Sequence, residues 1–158
     1  MNTASNNDLL ERLQQHEEAV AEIYATFGDR IPCMADFWSN LVNEEKSHAM
    51  VINMIRKAIG NANLSLDTRK FNMTAVQTAI DFIRRQTEQI RVQGTTTVKA
   101  LFLAINLEQA MIERDFFCIF ETDSPDMKRE FSALREHTLK HQRMLERMLE
   151  REKDKPSK

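Results

Sequence analysis

Two short segments of this 158-residue chain place a histidine three residues after an oxygen-bearing side chain. Glu45 precedes His48 at this spacing, and Thr138 precedes His141. Residues three apart lie on the same face of an α-helix, so Glu45 and His48 can bind one ion together. Carboxylate oxygen and imidazole nitrogen are donors that suit divalent first-row metals. The first segment therefore predicts a metal site, to which the second adds His141 and a hydroxyl.

Helices are the elements that must position these donors. Glycine and proline occur three times each, and most of them fall between segments of helical periodicity. The expected helix ends are at Gly28 with Pro32, Gly60, Gly94 and Ser124-Pro125, the last as an N-cap followed by proline at the first helical position. Five helices are predicted, at about 7–27, 33–59, 73–93, 96–120 and 125–152. No segment shows the alternation that predicts a strand.

Charged or polar side chains interrupt the apolar seam of four of these helices. Glu45 and His48 share a seam with Trp38, Leu41, Ile52 and Ile55; Glu17 lies among Leu10, Leu13, Ala21 and Tyr24; Glu108 lies among Val98, Leu101, Ile105 and Ile112, with Asp115 further along; Thr138 and His141 lie among Phe131, Leu134, Leu145 and Met148. A carboxylate that faces a core is costly without a partner. A metal ion is a partner that also explains the histidine one turn away.

Helix lengths predict how these seams are arranged. The segment 73–93 spans roughly 30 Å and carries no ligand-type residue on its apolar stripe, so it can cross from one end of a bundle to the other. The predicted fold is all-α, a four-helix bundle with this crossover helix between two hairpins. Glu17 and Glu45 each lie about 14 residues from a turn near residue 31, and therefore at the same height. Glu108 and Thr138 match in the same way across a turn near 122–123.

These residues resemble a known family. The segment Glu44-Glu45-Lys46-Ser47-His48, with Glu17 and with Tyr24 two turns after it, is similar to the rubrerythrin and ferritin-like di-iron domain, over roughly residues 8–150. The resemblance implies five metal ligands: Glu17, Glu45, His48, Glu108 and His141. It also implies iron, as one or two ions per chain with manganese or zinc as substitutes, and peroxide or oxygen as the small substrate.

The chain departs from the family pattern at two positions. Thr138 stands where the second pair would have a bridging carboxylate, and Met111 stands where rubrerythrins have a further carboxylate. The rubredoxin-like cysteine module is also absent from the sequence. A second ion would therefore be less well neutralised than the first, and the sequence also allows a single tightly held ion. Rotation of the last helix would instead present Glu136 or His137, but it would turn the apolar stripe of that helix away from the core.

Simpler roles remain open for several of these residues. Glu17 lies in a polar stretch and is solvated if it faces outward, and His141 is a hydrogen-bonded core histidine if Thr138 is its partner. Asp115 is a ligand, an acceptor for a ligand histidine, or solvated. Tyr24 is expected to be a core aromatic with a satisfied hydroxyl.

Composition limits the partners of the chain. Lys and Arg (22) nearly balance Asp and Glu (24), which gives no sign of a nucleic-acid or membrane partner. No signal peptide or membrane segment is expected, and we predict one cytoplasmic domain over 1–158, ordered at about 7–152. Cys33 and Cys118 are too far apart for a cysteine knuckle.

Three functions follow in order of preference. The first is a redox-active iron protein of the rubrerythrin type, with no residue assigned as catalytic. The second is a degenerate bundle that binds one metal or none and acts as a structural or interaction protein, for example as a homodimer. The third is a hemerythrin-like oxygen carrier, favoured only by the spacing of His137 and His141.

Overall fold

Five α-helices form most of the described part of the chain. The computed structural model describes residues 3–58, 64–66, 73–113 and 120–156. The helices are α1 (Thr3–Arg30), α2 (Ala35–Ala58), α3 (Met73–Gln93), α4 (Thr97–Glu113) and α5 (Pro125–Lys153), with a short 3-10 helix at Pro32–Met34. Two three-residue strands, β1 (Leu64–Leu66) and β2 (Phe120–Thr122), pair in antiparallel fashion. The prediction of a helical chain is confirmed.

Two of the four expected helix ends are found at the predicted positions. Gly94 ends α3 with a φ of 74°, in the left-handed region that favours glycine. Ser124 caps α5, its side chain accepting a hydrogen bond from the Met127 amide, with Pro125 at the first helical position. The third expectation was wrong, because α1 continues through Gly28 to Arg30. A Cβ at Gly28 would lie 3.5 Å from the Cβ of Trp38, so close helix packing is what a glycine provides here. Gly60 lies outside the described residues.

The fourth predicted helix overlaps strand β2 at its last residue. It was expected at 96–120, but residues Phe120–Thr122 form β2, and α4 is described as far as Glu113. Asp115 and Cys118 lie between these elements, outside the described residues. A three-residue strand is too short to show a two-residue period, and its partner β1 is far away in sequence. Local periodicity therefore could not distinguish β2 from a last helical turn.

Helix packing brings the candidate ligands to one core. Helix α1 packs along both α2 and α3, while α4 packs along α5. The buried face of α3 consists of Val76, Ile80, Ile83, Thr87 and Ile90 and includes none of the five candidate ligands. Val98 of α4 was expected in the core but is 43% exposed. Among the described helices, none combines the length and apolar character needed to cross a membrane.

Candidate metal centre

The five candidate ligands form two groups that share one residue. Glu17, Glu45 and His48 make the first group, and Glu45, Glu108 and His141 make the second. Within each group the possible ligand atoms lie within 4.8 Å of one another. All five residues are buried, and none is more than 3% exposed. These buried clusters can therefore hold a metal ion, with Glu45 placed between two positions.

The first group joins α1 to α2. The Nδ1 atom of His48 lies 3.0 Å from a carboxylate oxygen of Glu45 and 3.6 Å from one of Glu17. The spacing of Glu45 and His48 explains the first distance, since residues three apart lie on one helical face. Glu17 meets them from the neighbouring helix. The alternative that Glu17 is solvated is wrong, because it is 1% exposed.

The second group joins α2, α4 and α5. The Nδ1 atom of His141 lies 2.8 Å from Glu45 and 3.5 Å from Glu108. The hydroxyl of Tyr24 donates a hydrogen bond of 2.6 Å to Oε1 of Glu108. Tyr24 is thus a core aromatic with a satisfied hydroxyl, as expected, and it also fixes one candidate ligand.

The Nε2 atom of each candidate ligand histidine contacts a residue on the opposite helix, which is α5 for His48 and α2 for His141. The Nε2 atom of His48 lies 3.1 Å from Nδ1 of His137, and Nε2 of His141 lies 2.7 Å from a carboxylate oxygen of Glu44. Such contacts orient an imidazole so that its other nitrogen faces the metal. Both Nδ1 atoms therefore face the carboxylates. The sequence pattern offered one clue to these contacts, since Glu44 and His137 immediately precede Glu45 and Thr138.

The histidines carry positive charge in the metal-free site. Burial acts to lower the pKa of His48, but Glu17 and Glu45 raise it to about 10. Burial also acts to lower the pKa of His141, and Glu108 with Glu45 raises it to about 11. In the absence of an ion, two imidazolium groups thus offset the buried carboxylates.

The carboxylates respond differently to the same surroundings. Burial, together with the nearby charge of Glu45, raises the pKa of Glu17 to about 7. Burial and Glu108 act to raise the pKa of Glu45, but the imidazoles of His141 and His48 lower it overall. Glu45 is consequently the anionic centre of the cluster.

Several of the possible metal-ligand atoms have no hydrogen-bond partner in the described part of the chain. They are Oε2 of Glu17, Oε1 of Glu45, Oε2 of Glu108 and Nδ1 of His141. Nδ1 of His141 is only 2.8 Å from Oε1 of Glu45, but their orientation is not that of a hydrogen bond. Buried polar atoms normally have partners, and a cation bound among these four atoms would supply one. The residues present therefore fit a metal ion.

Comparison of the chain with family models, with curated proteins and with solved structures found no match in any of the three.

Thr138 contributes no ligand atom to the second group. The hydroxyl of Thr138 donates to the carbonyl oxygen of Leu134, 3.0 Å away, and so bonds its own helix. Glu136 and His137 are exposed, while Phe131 and Leu134 are buried. The last helix is thus not rotated to supply a substitute. The two donor groups together therefore contain three carboxylates and two imidazoles.

The hydrogen bond from Tyr24 predicts a stability effect. Replacing Tyr24 by phenylalanine leaves a buried oxygen of Glu108 without its donor, which is expected to destabilise the metal-free protein by about 1–3 kcal/mol. Chemical denaturation measures this change. Thr87→Val is the control, because it removes a buried hydroxyl that bonds the Ile83 carbonyl away from the site. Equal stability of Tyr24→Phe and the unaltered protein would contradict the prediction.

Proposed function

We propose that the chain is a ferritin-like carboxylate protein of the rubrerythrin type that binds iron in its core and reduces peroxide or oxygen. The observation that carries the proposal is the position of Glu45, which belongs to both donor groups. A carboxylate shared by two groups is the arrangement that bridges two ions. Bundles that hold two iron or manganese ions supply a glutamate from each of two helices and a Glu-x-x-His pair from each of the others. Here α1 and α4 supply Glu17 and Glu108.

The helix packing supports the proposed bundle. The four donor-bearing helices are α1, α2, α4 and α5, and the long helix α3 lies between α2 and α4 in sequence without contributing a donor. Its packing along α1 is consistent with a crossover on the outside of a four-helix core. We therefore propose the ferritin-like topology together with the function.

The chain's own residues would create a dry chamber that contains three carboxylates and two imidazoles. Glu17, Glu45 and Glu108 would hold the metal, with His48 and His141 as nitrogen donors. Ferrous iron, when bound there, supplies electrons for the reduction of peroxide or oxygen. The five candidate ligands are each at most 3% exposed, so bulk water is excluded from the site. Glu44 and His137 keep the two imidazoles aimed inward.

One observation favours a second candidate, a bundle with a single ion. Thr138 provides no donor, so two divalent ions would share only three carboxylates. Because cations need anionic ligands to neutralise them, the second position would be the weaker one. Such a protein would bind one metal and act as a structural or interaction protein. The oxygen-carrier alternative has less support, because His137 is in neither donor group.

Metal content and peroxide consumption distinguish these functions. The protein is to be purified without an affinity metal, loaded anaerobically with ferrous iron, and freed of excess ion. We expect about two irons per chain and stoichiometric loss of added peroxide as ferrous iron becomes ferric. One iron with no peroxide reaction would support the binding role, and the absence of bound metal would exclude the enzyme and leave a structural or interaction role without metal.

A further inference from the structure

The candidate ligands are enclosed, so an ion must reach them through a wall that opens. None of the five is more than 3% exposed. Helices α1 and α2 pack closely, as do α4 and α5, whereas α2 and α5 approach each other at fewer positions. The α2–α5 face, like the α1–α4 face, is therefore packed less closely than the α1–α2 and α4–α5 interfaces.

A cleft lies on this face and reaches the site. Its volume is about 370 Å³, and its wall includes the candidate ligand His48. Asn43, Glu44 and Ser47 line it from α2, and Ala133 and His137 line it from α5. A molecule in this cleft is thus in contact with a ligand imidazole.

Two other cavities are less suited to the passage of a cation. The one between α1 and α2, about 270 Å³, is lined by Tyr24 and Trp38, whose side chains are completely buried, and has no candidate ligand on its wall. The one along α3 and α4 has no candidate ligand on its wall. Neither cavity therefore brings an ion into contact with a candidate ligand.

Polar groups continue from the cleft to the site. The Glu44 side chain is 36% exposed and bonds His141, while His137 is exposed and bonds His48. Carboxylate and imidazole are the donors a divalent ion would exchange for water as it moved inward. Glu44 and Glu130 on the wall of the cleft attract a cation, while Lys140, also on the wall, pairs with Glu44 at 3.8 Å.

We propose that the α2–α5 cleft is the route by which a divalent cation reaches the buried site. The inference rests on the proposed metal function, because the route leads an ion to the ligands of that site. It predicts that bulk placed in the cleft slows metal uptake without changing how much metal is finally bound. It also predicts that the charge at the rim of the cleft affects the rate.

Stopped-flow uptake of Co²⁺, followed by the visible absorption of the bound ion, tests the route. Ala133→Phe and Ser47→Phe both fill the cleft without removing a candidate ligand, and each is expected to slow uptake by at least about tenfold. The final absorption should equal that of the unaltered chain. Ser39→Phe, in the cavity between α1 and α2, is the control for added bulk.

A charge reversal tests whether the species that passes through the cleft is a cation. Glu130 lines the cleft, and Glu136 is an exposed glutamate on the same helix that does not line it. Glu130→Lys is expected to slow uptake severalfold at low salt and Glu136→Lys to leave it nearly unchanged. Unaltered rates in both cleft-filling variants would overturn the route alone. A complete lack of Co²⁺ binding by the unaltered chain would instead overturn the metal site.

Discussion

Replacing Glu45 by alanine is expected to remove metal binding at both positions. Glu45 belongs to each donor group, and its two oxygens approach His48 and His141 at 3.0 Å and 2.8 Å. Loss of an outer partner alone commonly weakens metal binding 10–100-fold, so loss of a shared ligand should cost at least about a hundredfold. Elemental analysis after anaerobic iron loading measures the outcome. Glu45→Gln, which keeps the volume but not the charge, should behave similarly.

Variants of the other carboxylates distinguish a shared ligand from a general structural effect. Glu17→Ala and Glu108→Ala each break one group and leave the other intact, so each should retain about one ion where the unaltered chain binds two. Glu136→Ala removes an exposed glutamate and should change nothing. Circular dichroism of the metal-free variants checks that each is folded. Full metal content in a folded Glu45→Ala protein would refute the site.

The vertical arrangement of the site was predictable because helices are regular. Counting residues from each expected turn put Glu17 level with Glu45, and their groups do meet. A constant rise of about 1.5 Å per residue makes such counting accurate even when the helix ends are misjudged. Continuation of α1 through Gly28 therefore did not disturb the prediction. The range 73–93 was also correct for α3.

Contacts between distant parts of the chain could not be predicted in the same way. The bond from Tyr24 to Glu108 joins residues 84 apart, and the bond from His141 to Glu44 joins residues 97 apart. Helical periodicity shows that these side chains face the core, but it does not show which partner each one meets. The rotation of one helix against another decides that. The pairing of β1 with β2 was missed because these two strands are also far apart in the sequence.

Proton release is the second large effect expected of the site. In the metal-free protein the pKa values of about 10 for His48 and about 11 for His141 keep both imidazoles protonated at pH 7. An ion that binds their Nδ1 atoms must displace these protons, so loading both positions should release about two protons per chain, with a further fraction from Glu17. The combined affinity should therefore rise by about two logarithmic units per pH unit between pH 7 and 9. Titration with Zn²⁺ in weak buffer with an indicator dye measures the release.

The same shifts set the pH dependence of the metal-free fold. Because the pKa of His48 is raised above its unfolded value of 6.5, its stabilisation is complete below that pH and is lost as the pH rises towards 10. The raised pKa of Glu17 acts in the same direction between its ordinary value of 4.5 and about 7. The melting temperature should thus fall from about pH 5 to pH 10 without metal, and Zn²⁺ should reverse the fall. In the proton-release titration, metal binding by the His141→Gln variant should release about one proton fewer than binding by the unaltered chain. Metal binding without proton release at pH 7 would mean that the histidines are not the groups that the ion displaces.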